Sequence, residues 1–186
     1  MNPVFPSILS TNFFDLHSKL STFEESGIDY IHLDVMDGHF VDNISFGPSA
    51  AKAIKSQFPF KIDAHLMVSN PGKMISKYLA AGCDWVSFHI ETQEDIHQNI
   101  QLIKKEDKKA GLVLNPDTPV EKVFPFIPHL DYVLLMSVFP GYGGQKFPLQ
   151  HNQAKVTKKQ SIVLECGECK YKLQRKGLRL KKVEVV

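Results

Sequence analysis

Nowhere do the 186 residues contain an apolar run approaching the ~20 needed to cross a bilayer. The opening "MNPVFPSILS" has neither the basic n-region nor the apolar h-region of a secretion signal. These absences predict a cytoplasmic chain with no membrane partner. Cysteine is scarce too: three, an odd number without a secretion signal, argue against a disulfide framework and predict reduced thiols. Cys83, in "AAGCDWV", reads as a small packing residue. The single Cys-x-x-Cys, "CGEC" at 166–169, has no second pair and only His151 beside it in the tail, so its spacing reads as chance rather than a zinc or redox site.

Net charge is also small, +2, but it is unevenly spread. Residues 148–186 carry ten Lys or Arg against three Glu, whereas residues 1–147 carry twelve basic and seventeen acidic side chains. The first part has no basic patch interleaved with aromatics, which gives nucleic acid no support as a partner. With 43% hydrophobic and 23% charged residues, the chain is an ordinary globular one, long enough for a sizeable core. Two parts are expected: a barrel domain over 1–147 and an atypical basic tail over 148–186, frame-shifted or truncated or else diverged.

What is present is a regular alternation. Strand-like runs stand at "PVFPSIL" (3–9), "YIHLDV" (30–35), "KIDAHLMV" (61–68), "WVSFHI" (85–90), "AGLVL" (110–114) and "YVLLMSV" (132–138). Helical patterns lie between them at 15–27, 71–82 and 94–109, the first two closing on Gly. This alternation predicts βα units on a parallel sheet buried on both faces. No G-x-G-x-x-G follows the first strand, so a TIM-type (β/α)8 barrel is expected rather than a doubly wound sheet. About six units are recognisable, so an incomplete barrel is expected.

Strand parity then separates two kinds of side chain. Ile31, Leu33 and Val35 share one face of the second run and His32, Asp34 and Met36 the other; Asp63, His65 and Met67 share a face of the third. Two imidazoles and a carboxylate from neighbouring strands suit a divalent transition metal such as zinc, iron or manganese; the alternative is a hydrogen-bonded polar cluster. Asp37, His39 and Asp42, past the strand in "DGHFVDN", read as turn chemistry and solvated charge. The glycine-rich "FPGYGGQ" (139–145) follows the sixth strand on the same barrel face, where backbone N–H groups can cradle a phosphate. Ser7, in "PSILS", either donates a hydroxyl to substrate or is structural.

Together "PSILS" (6–10), "HLDVMDGHFV" (32–41), "DAHLMV" (63–68), "FHIE" (88–91), "GLVLNPDTP" (111–119) and "LLMSVFPGYGGQKF" (134–147) resemble the ribulose-phosphate 3-epimerase family, also called pentulose-5-phosphate 3-epimerase. The resemblance implies a metal-dependent TIM barrel that interconverts D-ribulose 5-phosphate and D-xylulose 5-phosphate. It implies one divalent ion, zinc, iron, manganese or cobalt, on His32, Asp34 and His65, with Asp34 also the acid/base. It further implies substrate contacts from Ser7, His65 and the loop Gly141, Tyr142, Gly143 and Gly144, and a sulfur lining of Met36, Met67 and Met136. The expected partner is a pentulose 5-phosphate, with a homo-oligomer left open. A related hexulose-phosphate epimerase, or a non-catalytic metal- or sugar-phosphate-binding remnant, are the alternatives.

Inversion at C3 takes a carboxylate on each face of the sugar, and the resemblance places the second in an Asp-Gly-Gly motif after a seventh strand. These 186 residues contain no such motif, and Asp131 is their last aspartate. Past Phe147 the motif-by-motif resemblance stops. "SIVLEC" (161–166) is the one run there that can pass for a seventh strand, and it offers Glu165.

Overall fold

The computed structural model describes residues 3–145 and the backbone of two short strands, Val163–Glu165 and Lys172–Gln174. The chain divides into two compact units, Met1–Gln145 and Lys146–Val185.

In the first unit the runs rich in Val, Ile, Leu and Phe form five strands: β1 (Tyr30–Met36), β2 (Lys61–Met67), β3 (Trp85–His89), β4 (Lys109–Leu114) and β5 (Tyr132–Leu135). They lie in sequence order and every neighbouring pair is parallel. A doubly wound sheet reverses its order; one that keeps sequence order with parallel neighbours is the successive-unit plan of a TIM-type barrel. Helices α1 (Leu16–Glu25), α2 (Pro48–Gln57), α3 (Pro71–Ala80) and α4 (Ile96–Lys105) fill the connections. One face of each strand packs on them. Ile31, Leu33, Ile62, Leu66, Val86, Phe88 and Leu112 are fully buried there, against Leu20, Ile54, Ile75, Tyr78 and Ile100. Full burial of one such side chain is worth about 1.5–3 kcal/mol, so this helix-facing layer supplies the main drive to fold. Cys83 is a free thiol inside the same layer, and burial first, then the nearby Asp84 and Asp63 charges, push its pKa up to about 12.

Three elements differ from the sequence pattern. The run at 3–9 makes only an isolated parallel bridge, Ser7 with His32, flanked by bonds from His32 N–H to Pro6 C=O (2.8 Å) and from Ile8 N–H to His32 C=O (3.3 Å). Pro3 and Pro6 have no N–H to donate, so the ladder cannot lengthen. The run at 132–138 stops at Leu135, because its partner β4 ends at Leu114 and Pro116 follows. Helix α2 was not among the helical patterns; it starts on Pro48 at its first turn and buries Ala51 and Ile54.

Helices α1 and α3 do end next to glycines at positive φ, Gly27 (73°) and Gly82 (95°). Helix α4 is shorter than 94–109: Asp95 caps it by accepting from Gln98 N–H at 3.0 Å, and the chain leaves it through Asp107 at φ 55°. Between β4 and β5 the chain runs in 3-10 turns over Val120–His129, where Pro125 and Pro128 prevent an α-helical ladder.

In the second unit Val163–Glu165 pairs antiparallel with Lys172–Gln174 in a two-stranded sheet of its own. The "SIVLEC" run therefore forms a hairpin strand and not a seventh parallel strand. The Glu165 side chain and the 166–169 cysteine pair lie outside the described residues. Among the described residues no helix is long and apolar enough to cross a membrane.

Candidate functional site

Parallel pairing of β1 with β2 puts His32 opposite Asp63, Asp34 opposite His65 and Met36 opposite Met67. Because side chains alternate, all six leave the face opposite the helices, into the interior. There His32 Nε2 and His65 Nδ1 both approach one atom, Asp34 Oδ1, at 3.3 and 3.2 Å. One ligand atom from each of the three residues lies within 4.8 Å of the other two. The second Asp34 oxygen, Oδ2, accepts the Ser7 hydroxyl at 2.6 Å. The bridge that replaces the expected first strand thus positions Ser7 on the carboxylate.

The electrostatics follow from burial and pairing. Desolvation favours a neutral Asp34, but hydrogen bonds and charge from His32 and His65 outweigh it and hold the carboxyl well below the usual range. Desolvation likewise opposes a charged His32, yet its bonds to Asp34 and Asp63 lift it to about 10. His65 goes the other way, to about 4, because burial is joined by the neighbouring His89 and His32. A cation among these three residues is what the donor set asks for, since two imidazole nitrogens and a carboxylate oxygen are transition-metal ligands.

Each imidazole is also held from behind. His32 Nδ1 lies 2.9 Å from Asp63 Oδ2, and Asp63 Oδ1 accepts the Tyr132 hydroxyl at 2.6 Å. His65 Nε2 lies 2.9 Å from His89 Nε2, whose Nδ1 lies 3.1 Å from Glu91 Oε2. Glu91 Oε1 in turn accepts Asn115 N–H at 2.9 Å and the Thr118 hydroxyl. Burial opposes ionisation of Glu91, but His89, Thr118 and Asn115 bring it down to about 2. Asp63 shares the His65 face and His89 stands in "FHIE", yet neither was assigned a role from the sequence. The available signal was the alternation Trp85, Ser87, His89 on β3, which aims His89 inward.

The remaining expected residues fall into two groups. Met36 and Met67, both buried, pack together with Val41, Leu9 and Phe40. Met136 is half-buried beyond the end of β5, where its N–H bonds Leu114 C=O at 3.0 Å. In the glycine loop Gly141 is buried, while Tyr142, Gly143 and Gly144 are exposed. Asn43, which the sequence reading passed over, donates its side-chain amide to Gly141 C=O at 2.9 Å. A Cβ at Gly143 would sit 2.2 Å from Ser10 Oγ, so a side chain there would have to displace the Ser10 hydroxyl. Phe40, Val41, Asp42, Glu91, Asn115, Phe139, Pro140 and Tyr142 line a cavity of about 340 Å³. That volume is in the range of small-molecule sites.

The turn after β1 is built to hold this arrangement. Asp37 accepts the N–H groups of His39 and Phe40 at 2.9 Å each on one oxygen and that of Ser69 at 2.8 Å on the other. It is an ionised structural clamp between the β1 and β2 loops, its carboxyl kept low by those donors against the effect of burial.

Comparison with known proteins gives a consistent result. The model of the family described as "Ribulose-phosphate 3 epimerase family" matches residues 3–177, past the end of the motif resemblance at Phe147. A ribulose-phosphate 3-epimerase of Bacillus subtilis is 47% identical over 147 residues, 79% of this chain and 68% of that protein. One of Aquifex aeolicus is 44% identical over 147 residues, 79% of this chain and 66% of that protein. This chain thus spans about two thirds of the length of these relatives. Among solved structures, that of a 3-hexulose-6-phosphate synthase aligns with a TM-score of 0.49 at 12% identity, over 75% of this chain and 67% of that one. The chain belongs to the ribulose-phosphate 3-epimerase family.

Proposed function

We propose that this chain binds a divalent ion, zinc, iron, manganese or cobalt, on His32, Asp34 and His65 and acts on C3 of a pentulose 5-phosphate, in the interconversion of D-ribulose 5-phosphate and D-xylulose 5-phosphate. The observation that carries the reading is the convergence of His32 Nε2 and His65 Nδ1 on Asp34 Oδ1. In the absence of a cation, protons on the imidazoles take its place against the carboxylate.

The bound ion would serve as a Lewis acid, polarising the C2 carbonyl and stabilising the enediolate charge. The chain's own groups do the rest. Asp34, whose Oδ2 accepts the Ser7 hydroxyl, takes the C3 proton as a carboxylate. Ser7 holds Asp34 Oδ2 in place, so the base meets C3 in a fixed orientation. Met36 and Met67 give the reacting carbons an apolar floor that excludes water. Backbone N–H groups of Gly141, Tyr142, Gly143 and Gly144 receive the phosphate.

Returning the proton on the opposite face takes a second acid, and these 186 residues hold no aspartate after Asp131. The reading therefore has Asp34 exchanging the C3 proton faster than the chain inverts C3. The test follows ribulose 5-phosphate in heavy water by NMR with manganese- or zinc-loaded protein. Deuterium should appear at C3 ahead of any xylulose 5-phosphate, and Asp34→Asn should abolish both. Neither exchange nor conversion with the loaded chain would overturn the reading.

A further inference from the structure

We propose that Ser45 is a positioning residue for Asp34: its hydroxyl stands in for a neighbouring strand at the end of β1 and fixes the backbone from which the carboxylate projects. The inference rests on the reading of Asp34 as base and ion ligand, but it concerns a hydroxyl whose proton is committed to the backbone.

Pairing with β2 covers only one edge of β1. At the other edge the N–H of His32 is accepted by Pro6 C=O at 2.8 Å and its C=O accepts Ile8 N–H at 3.3 Å. Backbone groups of strand residues two apart point to the same edge, so Asp34 and Met36 face the same way. The Ser7 segment does not continue to them, because it turns past Ile8, whose C=O accepts Thr11 N–H at 3.1 Å. Asp34 C=O and Met36 N–H therefore need another partner. Ser45 Oγ serves both, donating to the C=O at 2.5 Å and accepting the N–H at 3.0 Å. One hydroxyl does here what the peptide groups of a further strand would do, and Ser45 N–H adds a bond to Met36 C=O at 3.4 Å.

Ser45 reaches this edge because the chain doubles back after β1. Gly38, at φ 74°, bonds its N–H to Asn43 C=O at 2.9 Å, and Asp37 and Ile44 form an antiparallel bridge. Asp37 also ties the turn to Ser69 N–H at 2.8 Å, so Ser45 is delivered by a clamped turn. Its residue type matters as well. A hydroxyl can donate and accept at once, which neither alanine nor valine can do. Met36 is buried, so water is a poor replacement.

The consequence falls on the side chain of residue 34. Asp34 Oδ1 meets His32 Nε2 and His65 Nδ1, and Oδ2 accepts the Ser7 hydroxyl. A backbone shift at 34 thus moves the carboxylate against all three at once. A displacement of about 1 Å is enough to cost on the order of a hundredfold in rate.

The test compares Ser45→Thr, which keeps the hydroxyl, with Ser45→Val, which has the same shape and lacks it. Amide hydrogen exchange at Met36 in the metal-free full chain reads the bond itself. Wild type and Ser45→Thr should protect that N–H alike, and Ser45→Val should lose about tenfold in protection. Manganese affinity by calorimetry, and deuterium entry at C3 with ion and ribulose 5-phosphate both saturating, read the carboxylate. Both should fall about 10- to 100-fold in Ser45→Val and stay within about threefold of wild type in Ser45→Thr. A serine that served stability alone would lower the urea midpoint of Ser45→Val and leave the saturated exchange rate untouched, and that result would overturn the inference. So would equal Met36 protection in the two variants. Met36 protection is read without ion or turnover, so a wild type that binds no ion and exchanges no proton would sink the proposed function alone.

Discussion

Tyr132 on β5 donates its hydroxyl to Asp63 Oδ1 on β2 at 2.6 Å, crossing the interior beneath the His32 ring. The contact is possible because residue 111 has no side chain: a Cβ there would sit 2.3 Å from Tyr132 Cζ. The tyrosine ring also packs on Trp85, with centroids 5.1 Å apart. Burial first, and then the Asp63 charge, push its phenol well above the ordinary value, so it remains a donor throughout the accessible pH range.

Removing that donor tests its contribution. Tyr132→Phe leaves a buried carboxylate one partner short, and hydrogen bonds to charged groups are worth about 1.5–3 kcal/mol. Urea unfolding of the metal-free variant should show a loss of that size. Asp63 orients His32, so ion affinity should fall as well.

The Gly111 contact makes a sharper test through coupling. Gly111→Ala forces a methyl into the Tyr132 ring and should destabilise by about 1–3 kcal/mol or more. In a Tyr132→Ala background the methyl meets open space and that cost should vanish. A double-mutant cycle showing simple additivity would mean that the ring is not what excludes a side chain at 111.

Much of this site was legible in the sequence because strand alternation is strict. "YIHLDVM" and "KIDAHLM" put His32, Asp34 and His65 on one face, and the register brings them to one point. What resisted reading was whatever depends on partners distant in sequence. Alternation aims His89 in "WVSFHI" and Asp63 inward, but it does not name their partners; their roles exist only once β3 lies beside β2 and β5 sends Tyr132 across. The over-long first strand had a local cause that was visible, its two prolines, and was outweighed by its apolar content. Helix α2 also had a visible local signal, Pro48 in its first turn, that went unread.

The histidines make stability depend on pH in the metal-free chain. His32 is raised to about 10, so its favourable pairing is complete below the unfolded value near 6.5 and is lost as pH climbs toward 10. His65 is lowered to about 4, so the unfolded chain binds a proton that the folded chain refuses, and stability drops as pH falls from about 6.5 toward 4. Glu91, lowered to about 2, adds a further loss on the acid side below its ordinary value near 4.5. Chelator-treated protein should therefore be most stable near pH 6.5 and weaken in both directions. Between pH 7 and 9 the loss should be at least about 1 kcal/mol, and His32→Gln should remove it. Equal urea midpoints for wild type at pH 7 and 9 would contradict the role of His32 as the proton holder.

Asn43 offers a prediction about substrate that leaves the ion site alone. It closes the "DGHFVDN" turn after β1, and its side-chain amide holds Gly141 C=O at 2.9 Å. Its own carbonyl accepts the Ile44 N–H at 2.9 Å, so the side chain is fixed at both ends. Gly141 stands at φ 126° and Gly144 at 67°, conformations that suit glycine and have no side chain to steady them. Loop order therefore depends on outside contacts such as this one. Asn43→Ala removes a half-buried bond, so its effect on global stability should stay within about 1 kcal/mol. The loop, freed at Gly141, must then be ordered by the phosphate itself, and that ordering is drawn from binding energy. Affinity for ribulose 5-phosphate, measured by calorimetry on manganese-loaded protein, should fall about tenfold, while affinity for unphosphorylated ribulose and for manganese should not change. Equal losses for the two sugars would show that Asn43 supports the ion site or the pocket walls rather than the phosphate loop.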